Sequence, residues 1–255
     1  PVKKKTVAKP KDAIVAAQKP VGGVPAKGEK RYRRDEVLFV LKPTSPADAL
    51  ASVVQAQNLR RIAEAPLQLL RRTVHRYAIT DNRSVSQVIA ALEADPTVES
   101  AQPNYQYELT ESLSSAAGTQ LQYTNVKLHL DEAHKLVTGK DIVVALIDSR
   151  VDASHEALQL SIRNTYSSVD YPSTEADAHG TAMAGAIAAH GQTIGTAPQS
   201  RLLAVECFSR DKDGHMEGVT FNILKGVDWA HSQAAFIINM SFAGPKDDLV
   251  QKAVA

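Results

Sequence analysis

The sequence predicts an α/β protein in which a doubly wound parallel sheet follows a small α+β unit. Continuous apolar runs at 142–147 and 202–208 are typical of strands buried on both faces of a parallel sheet. Helical segments are expected between these strands, and such alternation favours a doubly wound sheet. Residues 35–108 have the predicted order strand, helix, strands, helix, strand, which favours helices packed on one face of an antiparallel sheet, as in ferredoxin-like units.

Composition divides the chain into four predicted segments: a leader (1–34), the α+β unit (35–108), a small polar linker (109–120) and the α/β region (121–255). The leader holds 11 Lys or Arg and 2 Asp or Glu, a net charge of +9, and the remainder holds 18 and 26, a net of −8, which together give the +1 of the chain. The leader is rich in Lys, Ala and Pro, so we expect it to be disordered. It has no aromatic residue before Tyr32, so base stacking is not expected and no nucleic-acid partner is predicted. No run of 18 apolar residues suggests an integral membrane segment.

The elements of the α+β unit follow from local patterns. Ser84 is a candidate N-cap for a helix at 85–94, and Asp95-Pro96 is expected to end it. Ser45-Pro46 is expected to open an earlier helix, since proline is favoured in a first turn. Strands are predicted at 37–41, 72–79 and 98–107.

The α/β region is predicted to contain helices at 130–136, 179–189 and 219–233, and strands at 141–147, 202–208 and 235–240.

Two residues of this region are candidates for chemistry. Asp148 follows a buried strand, and ligands of open α/β sheets bind at the carboxyl ends of strands. His179 begins a helix of small residues that can pack closely on a neighbouring backbone. Taken singly, each has a plain structural interpretation: Asp148 as the cap of a turn and His179 as a hydrogen-bonded structural histidine.

Five stretches in order resemble the subtilisin-like serine proteases. Residues 144–158 (beginning Val-Ala-Leu-Ile-Asp-Ser) resemble the family's aspartate segment and 179–185 (His-Gly-Thr-Ala-Met-Ala-Gly) its histidine segment. The other matching stretches are 195–205, 226–230 and 237–244. Residues 35–108 resemble the family's inhibitory propeptide, on the text of 35–40 and 98–105. The resemblance implies a serine endopeptidase whose propeptide leaves its C-terminal tail in the substrate cleft.

Spacing agrees with this resemblance. Asp148 and His179 are 31 residues apart, against about 32 in subtilisin. The family serine lies about 157 residues after the histidine, whereas 76 residues follow His179 here, so we expect the serine and the oxyanion asparagine beyond Ala255. The expectation is therefore a zymogen fragment that is inactive by itself. Three serines after His179 lack the Gly-Thr-Ser-x-Ala sequence that surrounds the family nucleophile, and we do not expect them to act as the nucleophile: Ser200, Ser209 and Ser232.

The resemblance also implies roles. His179 is expected to act as the general base and Asp148 to orient it. Two rims of the cleft are expected to bind peptide substrates: Gly214 through Gly218 on one side, and Ser241, Phe242, Ala243 and Gly244 on the other. No cofactor or metal is predicted. Export to the periplasm or the medium is expected from the family.

Arg150 departs from the family, which usually has glycine at this position, and it is expected to alter the turn or to pair with an acid. It gives weight to an alternative: a noncatalytic subtilisin-fold module that binds or inhibits. A nucleic-acid-binding protein is a third hypothesis, which rests on residues 1–34 alone.

Overall fold

The computed structural model describes residues 23–110, 125–211 and 213–255. Before residue 111 the elements are β1 Tyr32–Leu41, α1 Ala49–Ala56, β2 Leu59–Leu67, β3 Arg72–Ile79, α2 Val85–Ala94 and β4 Val98–Leu109. After residue 124 they are α3 Leu130–Ala133, β5 Val143–Asp148, β6 Ile162–Ser167, α4 Ala178–Ala188, β7 Arg201–Glu206, β8 Phe208–Arg210, β9 Met216–Val219, α5 Thr220–Ser232, β10 Ile237–Asn239, β11 Phe242–Ala243 and α6 Asp248–Ala253.

The first four strands form an antiparallel sheet in the order β2-β3-β1-β4. Alternate residues of β1 face opposite sides, as the pleat of a strand requires. Val37 and Phe39 pack with α1 and α2, whereas Leu38 and Val40 pack with α5 and α6. Both faces of this sheet are thus covered, one by its own helices and the other by helices from the second half of the chain.

The second half holds a parallel sheet in the order β10-β5-β7-β6. Helix α4 packs on one face through Ala184 and Ala188, and α5 packs on the other through Ile223 and Val227. Helices on both faces of a parallel sheet are the arrangement predicted for this region. The carboxyl end of β5 is Asp148.

Several predicted elements match and others differ. β3 and α2 have the predicted bounds, and Ser84 forms a capping box with Gln87. The prediction that Ser45-Pro46 opens a helix was wrong, because α1 begins at Ala49 after a turn in which the Ala49 amide donates to Pro46 O. Strands β2 and β6 were not predicted, and the predicted helix 130–136 ends as α3 at Ala133. Most of the predicted linker, at 111–120, and of the leader, at 1–22, lies outside the described residues.

A buried ion pair in the first half is linked through its arginine to an exposed aspartate of the second half. The Arg76 guanidinium on β3 makes two hydrogen bonds to the Glu36 carboxylate, at 2.8 and 2.9 Å, and a third, at 2.7 Å, to Asp170 of the second half. Arg76 and Glu36 are both buried, and Asn104 also donates to Glu36. In the parts of the chain that the structure describes, no helix has the length and apolar character needed to cross a membrane.

Candidate active site

Asp148 ends a strand whose residues are all buried. The register of the parallel sheet fixes its position along the strand direction relative to the neighbouring strand. It pairs with Glu206 at the end of β7, so its carboxylate lies at the carboxyl edge of the sheet. The side chain is fully buried. Its Oδ1 accepts hydrogen bonds from the Ser149 amide at 2.7 Å and from His179 Nδ1 at 2.7 Å.

His179 lies in the first turn of α4, where Asp177 is the N-cap and accepts from the His179 amide at 2.9 Å. The start of the helix contacts the loop after β5 closely. A Cβ atom on Gly180 would lie 2.4 Å from the carbonyl oxygen of Ser149. The glycine therefore allows α4 to approach this loop, which brings the imidazole to Asp148.

The two side chains form a water-poor pair: Asp148 is fully buried and His179 is 8% exposed. Burial raises the pKa of the Asp148 carboxyl, and the hydrogen bonds from His179 and the Ser149 amide act in the opposite direction. A carboxylate on Nδ1 fixes the ring so that Nε2 faces away from it. This is the arrangement in which an imidazole can exchange protons with a third group at Nε2.

The end of β4 lies between two strand edges next to this pair. Gln106 and Tyr107 pair with Val219 and Gly218 of β9.

On its other side, Glu108 and Leu109 pair with Ala243 and Phe242 of β11. The Thr110 amide donates to Ser241 O at 3.1 Å. Residues 106–110, which we call the tail, thus form the central strand of three.

The tail ends at the imidazole. His179 Nε2 lies 2.8 Å from the carbonyl oxygen of Thr110. The hydrogen bonds that we find for the ring, within the described ranges, are these two, to Asp148 and to Thr110.

The structure brings most of the sequence-predicted site residues together. Gly218, Ser241, Phe242 and Ala243 contact the tail through the backbone, and Gly244 lies against the Tyr107 ring. Gly214 does not join them: it lies in a turn with φ +86°, where its amide donates to Asp211 O.

Arg150 pairs with an acid, as one of the two sequence alternatives expected. Its Nη1 lies 3.5 Å from Oε2 of the buried Glu206. Both residues line a cavity of about 430 Å³ beside the loop after β5.

Sequence reasoning missed three residues of the site. Asp177 orients the first turn of α4, and its place two residues before His179 is an N-cap signal that could have been used. Thr110 lies 69 residues before His179 and contacts its ring. Asp247 lies 140 residues after Tyr107 and contacts its hydroxyl. No local sequence pattern reveals contacts between residues so far apart in the chain.

Comparison with protein families gives two matches. Residues 139–254 match the subtilase family, and residues 18–104 match the fervidolysin N-terminal prodomain. Together they include the first sheet and the second one.

Curated proteins similar to the chain are bacterial proteases. A subtilisin of Bacillus pumilus is 37% identical over 46% of this chain and 42% of its own length. The minor extracellular protease Epr of Bacillus subtilis (strain 168) is 30% identical over 66% of this chain and 28% of its own length. The thermophilic serine proteinase of Bacillus sp. (strain AK1) is 26% identical over 89% of this chain and 56% of its own length. The chain thus spans about half or less of the length of these relatives.

Solved structures show the same fold. Fervidolysin of Fervidobacterium pennivorans, described as a keratinolytic enzyme related to subtilisin, superposes with a TM-score of 0.65 at 20% identity, over 91% of this chain and 39% of that one. The epidermin leader peptide processing serine protease of Staphylococcus aureus superposes with a TM-score of 0.59 at 17% identity, over 87% and 56%. The fold described above is therefore subtilisin-like.

Proposed function

Because the chain belongs to the subtilase family of serine proteases and carries a propeptide domain, we propose that it is the zymogen part of a serine endopeptidase, with Asp148 and His179 as two members of the catalytic triad. The observation that carries the proposal is the buried hydrogen bond of 2.7 Å between His179 Nδ1 and Asp148 Oδ1 at the carboxyl end of β5. Residues 35–108 are the inhibitory propeptide in this proposal. The strand order β2-β3-β1-β4, antiparallel throughout, supports a ferredoxin-like assignment.

The proposed mechanism uses His179 as a proton carrier. Nε2 accepts the proton of a seryl hydroxyl as its oxygen bonds to the substrate carbonyl carbon, and it then donates this proton to the leaving amine. Asp148 holds the ring orientation and stabilises the imidazolium. The backbones of Gly218, Ser241 and Ala243 bind the substrate as an added strand, in the way that β9 and β11 pair with the tail.

The tail occupies the proposed cleft as an internal inhibitor. The Thr110 carbonyl oxygen, at the end of the tail, lies 2.8 Å from His179 Nε2. We therefore assign the Thr110–Glu111 peptide bond as the one that is cut during maturation. Secretion is part of the proposal, in line with the extracellular relative from Bacillus subtilis.

The test is hydrolysis of casein by the protease expressed from its complete gene. We expect activity that phenylmethylsulfonyl fluoride abolishes and that His179→Ala abolishes. The matched control is His231→Ala, an exposed histidine in the last turn of α5. Activity that survives His179→Ala would contradict the proposal, and no hydrolysis by the wild-type protein would favour the noncatalytic module.

A further inference from the structure

The Tyr107 side chain enters a pocket beside the cleft. It is 5% exposed, and its ring meets Phe242 edge-on at a centroid distance of 5.5 Å. Gly244 forms the floor, since a Cβ atom there would lie 2.2 Å from Cδ1 of the ring. The pocket thus has the shape and depth of an aromatic ring.

A carboxylate closes the end of this pocket. The Tyr107 hydroxyl donates to Asp247 Oδ2 at 2.9 Å, and Asp247 is 5% exposed. Burial, followed by the nearby Asp247 charge, raises the pKa of Tyr107 well above its usual range. The hydroxyl therefore stays protonated and remains a donor at neutral pH.

The two oxygens of Asp247 have different tasks. Oδ1 caps helix α6 by accepting from the Leu249 and Val250 amides at 3.0 Å, and it also accepts from Gln102. Oδ2 accepts from Thr220 at 2.6 Å and from Tyr107. The Leu249 and Val250 amides hold the first oxygen in place, so the second oxygen points into the pocket at a fixed position.

The walls of the pocket belong to the second half of the chain. Thr220, Phe242, Gly244 and Asp247 all lie after residue 200, so these walls stay with the second half when the propeptide departs. Asp247 then loses the hydrogen bond from Gln102 as well as that from Tyr107. Tyr107 is then a stand-in for a side chain of a substrate that pairs with the same strand edges.

We propose that Asp247 makes the protease selective for substrates with tyrosine at the fourth position before the cut bond. The count follows from the proposed function, on which this inference rests: if Thr110 provides the carbonyl that is attacked, Tyr107 is the fourth residue on its N-terminal side. Phenylalanine would fill the pocket but would leave Asp247 Oδ2 without the hydroxyl donor.

A charged hydrogen-bond acceptor strongly favours a ligand that has a hydroxyl donor over a ligand that lacks it. A site built to bond a hydroxyl disfavours an analogue that lacks it, because the buried acceptor is left unpaired. Thr220 continues to satisfy part of Oδ2, so we expect a preference of about tenfold in kcat/KM for tyrosine over phenylalanine.

The test uses peptide substrates and the matured protease from its complete gene. The probes are Gln-Tyr-Glu-Leu-Thr and Gln-Phe-Glu-Leu-Thr, each followed by a coumarin amide. The tyrosine peptide should have the higher kcat/KM by about tenfold. A third peptide with O-methyltyrosine retains the ring and its oxygen but cannot donate, so it should fall to the level of the phenylalanine peptide or below.

Asp247→Asn is the matched variant, since asparagine is as good an N-cap as aspartate. In this variant the ratio of kcat/KM for the tyrosine and phenylalanine peptides should approach one. The control peptide has Gln in place of Glu at the third position, which corresponds to the exposed Glu108, and it should be cut at the same rate as its parent.

Equal cleavage of the tyrosine, phenylalanine and O-methyltyrosine peptides by the wild-type enzyme would overturn the inference, even if Asp247→Asn fails to fold. A tyrosine preference that persists in Asp247→Asn would overturn it as well. Loss of casein hydrolysis together with all peptide hydrolysis would contradict the proposed protease function itself.

Discussion

His179 Nε2 lies 2.8 Å from the carbonyl oxygen of Thr110, while Nδ1 of the same ring lies 2.7 Å from Asp148 Oδ1. These two contacts engage both ring nitrogens, so the imidazole is held between the buried carboxylate and the end of the tail. The tail therefore fills the cleft and also places the Thr110 carbonyl at the nitrogen that the proposed mechanism uses for proton transfer.

Asp148→Asn should lower kcat for casein or peptide hydrolysis by about 10⁴-fold, because an amide at this position no longer stabilises the imidazolium and favours the wrong tautomer. KM should change much less, since Asp148 does not reach the cleft surface. Steady-state kinetics of the matured enzyme measure both. A loss confined to KM would contradict the orienting role of Asp148.

Gly180→Ala and Gly185→Ala form a matched pair on helix α4. At Gly180 a Cβ atom would lie 2.4 Å from Ser149 O, so the helix must shift, at a cost of about 1–3 kcal/mol in the free energy of unfolding. At Gly185 a Cβ atom would meet nothing within 4 Å, so alanine should stabilise the helix by up to about 1 kcal/mol. Urea denaturation of the 255-residue chain measures both, and equal effects would contradict the close packing of Gly180 on the Ser149 carbonyl.

Arg76→Met should destabilise the chain by about 3–5 kcal/mol, because it leaves the buried Glu36 carboxylate without its ionic partner. The control is Arg72→Met, whose partner Glu99 has a side chain 35% exposed, and there the loss should be at most about 1 kcal/mol. The free energy of unfolding in urea provides the comparison. A similar loss in both variants would show that burial does not separate the two pairs.

The His75 imidazole should make the α+β unit sensitive to acid. Burial lowers the pKa of His75 below 6.5, while attraction to Glu64 opposes this shift and repulsion from Arg61 adds to it. A depressed pKa gives stability that is fully present above the unfolded value of about 6.5 and is lost as pH falls through the folded value.

The free energy of unfolding should therefore decrease between pH 7 and pH 5, and His75→Phe should reduce this decrease. Phenylalanine retains the stacking on Phe39, whose ring centroid lies 5.2 Å from that of His75. The control is His215→Phe, at a side chain that is 81% exposed. An unchanged pH dependence in His75→Phe would refute this prediction.

Local patterns predicted the elements whose signals are local. The capping box of Ser84 and Gln87 begins α2, and the apolar run before Asp148 forms β5. β2 was missed because Ala63, Ala65 and Pro66 are poor strand formers, and pairing with β3 determines its conformation. β6 is a polar edge strand that pairs with β7 alone among the described strands, so it lacks the apolar run of a central strand.

The site was predictable in part for the same reason. Asp148 and His179 carry family signatures in their own neighbourhoods, and the hydrogen bond between them was expected from that resemblance. The contacts of Thr110 and Asp247 depend on how the tail lies across two distant strand edges. Only the tertiary structure brings these residues together.

The N-terminal sequence of the matured protein, measured together with the intact mass of the His179→Ala variant, tests the proposed self-processing most directly. We expect that the mature wild-type protein from its complete gene begins at Glu111 and that His179→Ala keeps its propeptide. Cleavage of His179→Ala at the same bond would contradict the proposed self-processing, and a mature wild-type N-terminus away from Glu111 would contradict the assignment of Thr110 at the catalytic histidine.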